Sequence, residues 1–429
     1  MMVEGEKNDE NEVAVETQCE DLIENSSNRH TVLALYKFVT IPENEVRKLQ
    51  GEVESVLRSA KAHGTILLAS EGINGTICYP SKEGEVDSVV EFLDNHQYFK
   101  GLRRRPSFAN TNVFHRLKVK VKEEIVTMGD GVADEDESLL KKSSNPLSSS
   151  CQTNDDDSNN KVDPTKVVGT YVKPGKDWDN LLLDPDVVVI DTRNKYEIEI
   201  GTFQNAINPH TDNFKQFPDW LRRFADDRYG NNNNSNDSHN NDDQEQPKKY
   251  QKFEPGDDTD TLKLTTTTNA RSKAPAPYLP PPNLPQKPKA VAMFCTGGIR
   301  CEKSTSFALS NKLFPSDVPV YHLDGGILAY LDKVKASESK WNGECFVFDQ
   351  RVSLTHGLKP SEKYNLCYAC RRPITVEDKH GEDYVKGICC KRCKNEATDA
   401  QKIRFQERQR QIELAKTKGI KHIHDPKET

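Results

Sequence analysis

Two segments, "DVVVID" at 186–191 and "KAVAMFC" at 289–295, most constrain what this chain can fold into. Their cores are continuously apolar instead of alternating, so both faces of each must be buried, as in a strand inside a parallel sheet. Such a sheet needs helices on both sides, and the sequence around it supplies them. Residues 301–314 read as a helix with apolar Phe307, Ala308, Leu309 and Leu313, and "VPVYHLDGGILAYL" repeats strand, glycine turn and helix. These signals predict an α/β domain over 167–345. Sites in parallel sheets lie at the carboxyl ends of the strands. Cys295 stands at such an end.

Not all of the 429 residues can pack like this. The apolar fraction is 34%, against about 45–50% for an ordinary globular domain counted with glycine. Three acidic stretches account for the difference: the tail 1–30, the linker 129–166 and a low-complexity insertion at 226–288. All are rich in Asn, Ser and Asp or in Pro, have little to bury, and are expected to be disordered. Residues 1–30, 130–160 and 226–260 carry −7, −6 and −6, whereas the whole chain carries −7. The rest is therefore +12, a balance suited to a polyanionic partner. The acidic N-terminus resembles neither a secretory signal nor a transit peptide. With no apolar run of about 18 residues, a cytoplasmic protein without membrane contact is the expectation. Its eleven cysteines are then better suited to metal binding or reactivity than to disulfides.

The block 31–128 reads as β-α-β-β-α-β, the order of a ferredoxin-like sandwich. "TVLALYKFV" gives the first strand, 43–62 a helix, "GTILLAS", "EGING" and "TICYP" a strand pair, and the region of Val86 to Leu93 a second helix. The closing strand is read in "FHRLKVKVKEEIV", where Leu117, Val119 and Val121 alternate with Lys118, Lys120 and Lys122. Helices cover only one face of such a sheet, so these lysines are expected on the open face, either solvated or facing nucleic acid.

The loop "FCTGGIRCEKS" at 294–304 carries the chemistry. A thiol that opens a tight loop feeding a helix meets inward-pointing N–H groups and the positive end of the helix dipole. Gly297 and Gly298 allow the backbone such a nest requires, with Thr296, Ile299 and Cys301 completing it. Arg300 is expected to add a permanent charge at the rim. Together they should hold Cys295 below the free-thiol value of about 8.5.

The block 346–429 contains Cys367-x2-Cys370 and Cys390-x2-Cys393, a spacing typical of a four-cysteine structural zinc site. Cys389 is an alternative to Cys390, which gives the better spacing. A charged helix follows, including Lys402, Arg404, Arg408 and Arg410. With Arg371, Arg372 and the run 103–105 it suggests contact with an RNA backbone.

"IDTRNKYEIEIGTFQNA", "CTGGIRCEKS" and "YHLDGGI" resemble a rhodanese domain. The resemblance implies that Asp191, Arg193 and Glu197 brace the fold and that Cys295 can carry a persulfide. The four residues between Cys295 and Arg300 are similar to the sulfur-type loop, one shorter than the phosphatase loop of this fold. With "LYKFVTI", "ASEGINGTI", "FVFDQRVSLTHGL" and "CYACRRPIT" in the same order, the chain resembles the rhodanese-containing tRNA uridine 5-hydroxylases. That resemblance implies hydroxylation of a wobble uridine in the tRNA anticodon arm, with molecular oxygen as co-substrate. The long insertion departs from it and is expected to leave the site intact. No flavin or nicotinamide motif and no evident iron triad is found. A rhodanese-type sulfurtransferase and a non-catalytic RNA-binding scaffold remain the alternatives.

Overall fold

The N-terminal domain winds β1 (His30–Phe38), α1 (Glu43–Ser59), β2 (His63–Ala69), β3 (Gly72–Pro80), α2 (Ser88–Asn95), β4 (Arg103–Ala109) and β5 (Leu117–Val121). The computed structural model describes residues 29–81, 87–128, 162–230 and 284–420. The acidic tail before residue 29, 129–161 of the linker, 231–283 of the insertion and Val86 lie outside these residues. The sheet order is β4-β1-β3-β2-β5. Strands β4, β1, β3 and β2 are antiparallel to their neighbours and form the ferredoxin-like set, while β5 adds at the far edge, parallel to β2.

This corrects the sequence reading, which took the lysine-bearing segment as the closing strand. That strand is "RRRPSFA", whose three arginines and proline hide it from a search for apolar alternation. Both helices pack on one face: Val46, Leu49, Val53 and Leu57 of α1 meet Leu33, Leu35, Ile66, Leu68 and Val119. Spaced three and four residues apart, the α1 positions form a single apolar stripe. Asp87 caps α2 by accepting from the N–H groups of Val89 and Val90.

The central domain is built on β6 (Thr170–Val172), β7 (Val187–Asp191), β9 (Ala290–Phe294) and β10 (Val320–Leu323), in the order β6-β10-β9-β7 and all parallel. All of β9 is buried, as its unbroken apolar run requires. Around the sheet lie α3 (Lys176–Leu183), the short α4 (Lys195–Ile198), β8 (Gly201–Phe203), α5 (Phe217–Tyr229), α6 (Ile299–Ser310) and α7 (Gly326–Lys333). The sequence reading missed α5, although Phe217, Trp220, Leu221, Phe224 and Ala225 keep helical spacing and are buried. It also began the insertion too early. Residues 226–229 are the last turn of α5, and the Tyr229 hydroxyl donates to the Pro288 carbonyl at 2.7 Å. The chain thus leaves and re-enters the domain at neighbouring points.

After α7 come β11 (Trp341–Gly343), the hairpin of β12 (Cys345–Phe346) and β13 (Ser353–Leu354), then β14 (Tyr364–Leu366), β15 (Pro373–Thr375), α8 (Val376–His380) and α9 (Asp399–Thr417). Strand β11 pairs with β8, which ties the C-terminal segment to the central sheet's flank. Among the described residues no helix is long and apolar enough to cross a membrane.

The two domains are locked by polar contacts. Lys303 on α6 is buried, with its ammonium 2.9 Å from Glu71 and 3.0 Å from both Glu124 and the Val126 carbonyl. Glu71 is the second residue of the β2–β3 turn and Glu124 follows β5, so one cation joins three segments. Removing one partner of such a cluster strands the others' charges. Lys303→Ala should therefore lose about 3 kcal/mol of stability, read as a lower urea midpoint. An unchanged midpoint would show that the carboxylates simply rehydrate.

Candidate active site

Cys295 follows β9 directly and is 1% exposed. The Gly298 N–H donates to Sγ at 3.1 Å, and Gly298 reaches this position at φ +104°, which favours glycine. Helix α6 starts at the next residue, so its N-terminal end faces the sulfur. Burial alone would push the thiol's pKa up. Hydrogen bonds from the Cys301 side chain and from the backbone N–H groups of Cys301 and Gly298, with the Arg300 charge, outweigh it and leave Cys295 at about 6. Cys301 moves the other way: burial, then the neighbouring Cys295, push it well above the usual thiol value. One thiol is thus ionised at neutral pH beside one that stays protonated.

The loop is held from two sides. Its carbonyls at Cys295 and Thr296 accept from the N–H groups of Ile327 at 2.9 Å and Leu328 at 3.0 Å, at the start of α7. Gly326 makes this approach possible, because a Cβ there would lie 2.5 Å from the Cys295 carbonyl oxygen. On the other side Arg300 forms a two-pronged ion pair with Glu197, at 2.9 and 2.7 Å. The sequence reading placed Arg300 at the rim. It is instead 8% exposed, its charge compensated by a fully buried carboxylate, and its weak contact with Thr296 Oγ1 is 3.5 Å. Arg300 braces the loop and adds positive potential behind the sulfur.

Asp191 and Arg193 form a second buried pair, at 2.9 and 2.7 Å. Arg193 also donates to the carbonyls of Gly201 and Glu197, so the two pairs are linked through α4. Thr192, between them in sequence, bonds the Phe294 carbonyl at 3.1 Å and lies 3.8 Å from Cys301 Sγ.

The open face of the N-terminal sheet roofs this loop. A cavity of about 490 Å³ runs between them, lined by Cys295, Thr296, Gly297, Ile299 and Arg300 from below and by Ala34, Tyr36, Thr76 and Arg103 from above. The sequence reading assigned none of these upper residues to the active site. Tyr36 donates to Glu302 at 2.8 Å, and its hydroxyl would stand 2.6 Å from a Cβ on Gly298. Arg103 is 3.2 Å from Glu302, reaches Asp324 at 2.5 Å and stacks over the Tyr171 ring at 4.3 Å. The one available signal was the pair of charged residues Glu302 and Lys303 on the first turn of α6, where an isolated domain would present solvent.

The four cysteines 367, 370, 390 and 393 lie with their sulfurs within 4.8 Å of one another. The 367–393, 370–390 and 390–393 separations are 3.9, 3.8 and 3.7 Å. A tetrahedron with zinc–sulfur bonds of about 2.3 Å has edges of about 3.8 Å, so the group fits a structural metal such as zinc. Cys389 turns away to the Asp383 carbonyl, which settles the choice in favour of Cys390.

The basic residues divide into two groups. Arg408 donates to the carbonyls of Tyr368 and Gly387 at 3.0 and 2.7 Å and so anchors α9, and Arg372 pairs with Glu396 at 2.8 Å. Their guanidinium groups bond within the cysteine segment and help to hold it together. Lys120, Lys122, Arg371 and Arg404 are exposed, and Lys118 is half-buried. Burial, then the charges of Arg116, Lys120 and Arg371, lower the pKa of Lys118, so the structure gathers these four cations from two segments.

Residues 30–125 match the model of a family described as the UPF0176 acylphosphatase-like domain. The N-terminal domain is acylphosphatase-like. The match spans the roof of the cavity and stops before the cysteine loop.

A thiol is deprotonated above its pKa, so alkylation of Cys295 by iodoacetamide should rise through pH 6 and be near its plateau at pH 7. A midpoint near the free-thiol value of about 8.5 would refute the ionised thiol. For the metal centre, Cys367→Ser should lose one equivalent of zinc by elemental analysis and leave the N-terminal domain folded. A wild-type protein purified without metal would dismiss the site.

Proposed function

We propose that the protein modifies tRNA, hydroxylating an unstacked wobble uridine to 5-hydroxyuridine, with Cys295 as nucleophile and molecular oxygen as co-substrate. The observation that carries this reading is the Cys295 thiol, facing the Gly298 N–H and the start of α6, at the base of a cavity large enough for a nucleoside and roofed by a UPF0176-type domain. Pockets for small ligands run from about 300 to 1,000 Å³. The motif order through "CTGGIRCEKS" and "FVFDQRVSL" supports the same reading.

A base held in its stack cannot reach a cysteine that is 1% exposed, so the target has to leave that stack. The Cys295 thiolate then adds to C6 of the uracil, and the electron pair of the C5–C6 double bond moves toward C5 and the C4 carbonyl. C5 becomes the electron-rich position that takes one atom of O₂; the O–O bond breaks with two electrons and two protons from an external two-electron donor of the dithiol class, and the second oxygen atom leaves as water. Loss of the C5 proton and departure of the thiolate restore the ring. Arg300 and Glu197 act through the loop they position. The exposed cations Lys120, Lys122, Arg371 and Arg404, with Lys118, serve the phosphates.

The test uses purified protein, tRNA from cells lacking it, labelled O₂ and nucleoside mass spectrometry. Labelled 5-hydroxyuridine should form with the wild type and be absent with Cys295→Ser, since serine offers no accessible anion at neutral pH. Wild-type protein that turns over thiosulfate, binds no tRNA at low salt and forms no labelled product would be a sulfurtransferase instead.

A further inference from the structure

The hairpin of β12 and β13 holds a large apolar side chain where water should disfavour it. Phe348 is 63% exposed, yet it lines the cavity that ends at Cys295, so it stands at the mouth. Its position is built. Asp349 and Arg351 form a two-pronged pair at 2.9 and 2.6 Å, and Arg351 also donates to Ser107 of the N-terminal domain at 2.8 Å. The Gln350 N–H reaches the Val113 carbonyl at 3.2 Å, and its side-chain amide lies 2.9 Å from the His115 ring. Val352 closes the turn at φ +63°, a costly conformation for a β-branched residue. Phe346 packs edge-on against the Phe348 ring, with centroids 5.1 Å apart, which leaves other parts of the ring open to solvent. Strain, a buried ion pair and an inter-domain clamp all fix an aromatic ring that covers little of the protein's own core.

The surroundings indicate what the ring is for. Its neighbour Gln350 contacts His115, and the next residues in that chain are Arg116 and Lys118, which share a cationic cluster with Lys120 and Arg371. The hairpin that carries Phe348 therefore touches both the segment that leads into this cationic cluster and a cavity suited to a base. Aromatic side chains beside basic grooves bind single-stranded nucleic acid by stacking on the bases.

We propose that Phe348 is a stacking platform for a nucleobase of a single-stranded RNA loop, holding the nucleotide beside the one that enters the Cys295 cavity. This rests on the reading of the protein as an RNA-modifying enzyme. Because Phe348 is exposed, replacing it should leave the fold and its melting temperature unchanged. The phosphate track stays intact, so the slope of binding against salt should also be unchanged.

The test measures binding of the full-length protein to a synthetic RNA hairpin whose loop carries 2-aminopurine next to a uridine. The wild type should bind and change the 2-aminopurine fluorescence as the base stacks. Phe348→Ala should bind about ten-fold more weakly and lose that signal. Phe348→Trp should restore both, whereas Phe348→Leu, apolar but unable to stack, should restore neither. Binding and signal unchanged in Phe348→Ala, or full recovery with Phe348→Leu, would overturn the platform while leaving the RNA reading standing. A wild-type protein that fails to bind the hairpin at low salt would overturn both.

Discussion

A charged sulfur kept almost out of water sets the terms for the rest of this structure. Burial favours the neutral thiol, so the anion persists only where fixed donors replace the lost solvent. Those donors are backbone N–H groups and a neighbouring thiol, and they point at Cys295 only while the loop keeps its shape. The shape is imposed from outside the loop. The start of α7 takes its carbonyls, and the Glu197–Arg300 pair fixes its far end. Glu197 in turn sits on a one-turn helix tied to the Asp191–Arg193 pair through Arg193. The ion pairs thus contribute mainly geometry. Their net stabilisation is offset by the cost of burying four charges.

The second domain completes what the central domain begins. Alone, α6 would expose Glu302 and Lys303 at the head of the reactive loop. In the full chain both are buried against Tyr36, Arg103, Glu71 and Glu124. The acylphosphatase-like sheet supplies one wall of the cavity and excludes water from the sulfur. Its unhelixed face is free for this purpose because both of its helices pack on the other side.

The C-terminal segment adds a third partner in the same way. Its hairpin crosses to Ser107 and Val113, Arg392 pairs with Glu199 of the central domain, and Arg371 joins the lysines of β5. A four-cysteine cluster suits this task, since a small segment without a large core needs a covalent or metal staple to hold such contacts. Arg372 and Arg408 take part in that internal structure.

The parallel sheet, the reactive loop and the cysteine cluster were all legible in the sequence. Each depends on local chemistry: unbroken apolar runs need two covered faces, paired glycines permit a tight nest, and Cys-x2-Cys turns aim two sulfurs at one point. The α/β architecture and the ferredoxin-like class follow from the same periodicities. The closing strand of the N-terminal sheet was not legible, because two of the charges in "RRRPSFA", Arg103 and Arg105, make sense only once Asp324, Glu302 and Asp332 of another domain meet them. Arg300 read as a rim charge because its partner, Glu197, stands 103 residues away in the sequence. A charged side chain looks identical in sequence whether water, a phosphate or a buried carboxylate will receive it. Which of these it meets is decided by packing between segments more than a hundred residues apart. In this protein, therefore, the sequence determined the cysteine loop and its local shape, and only the tertiary structure decided what surrounds them.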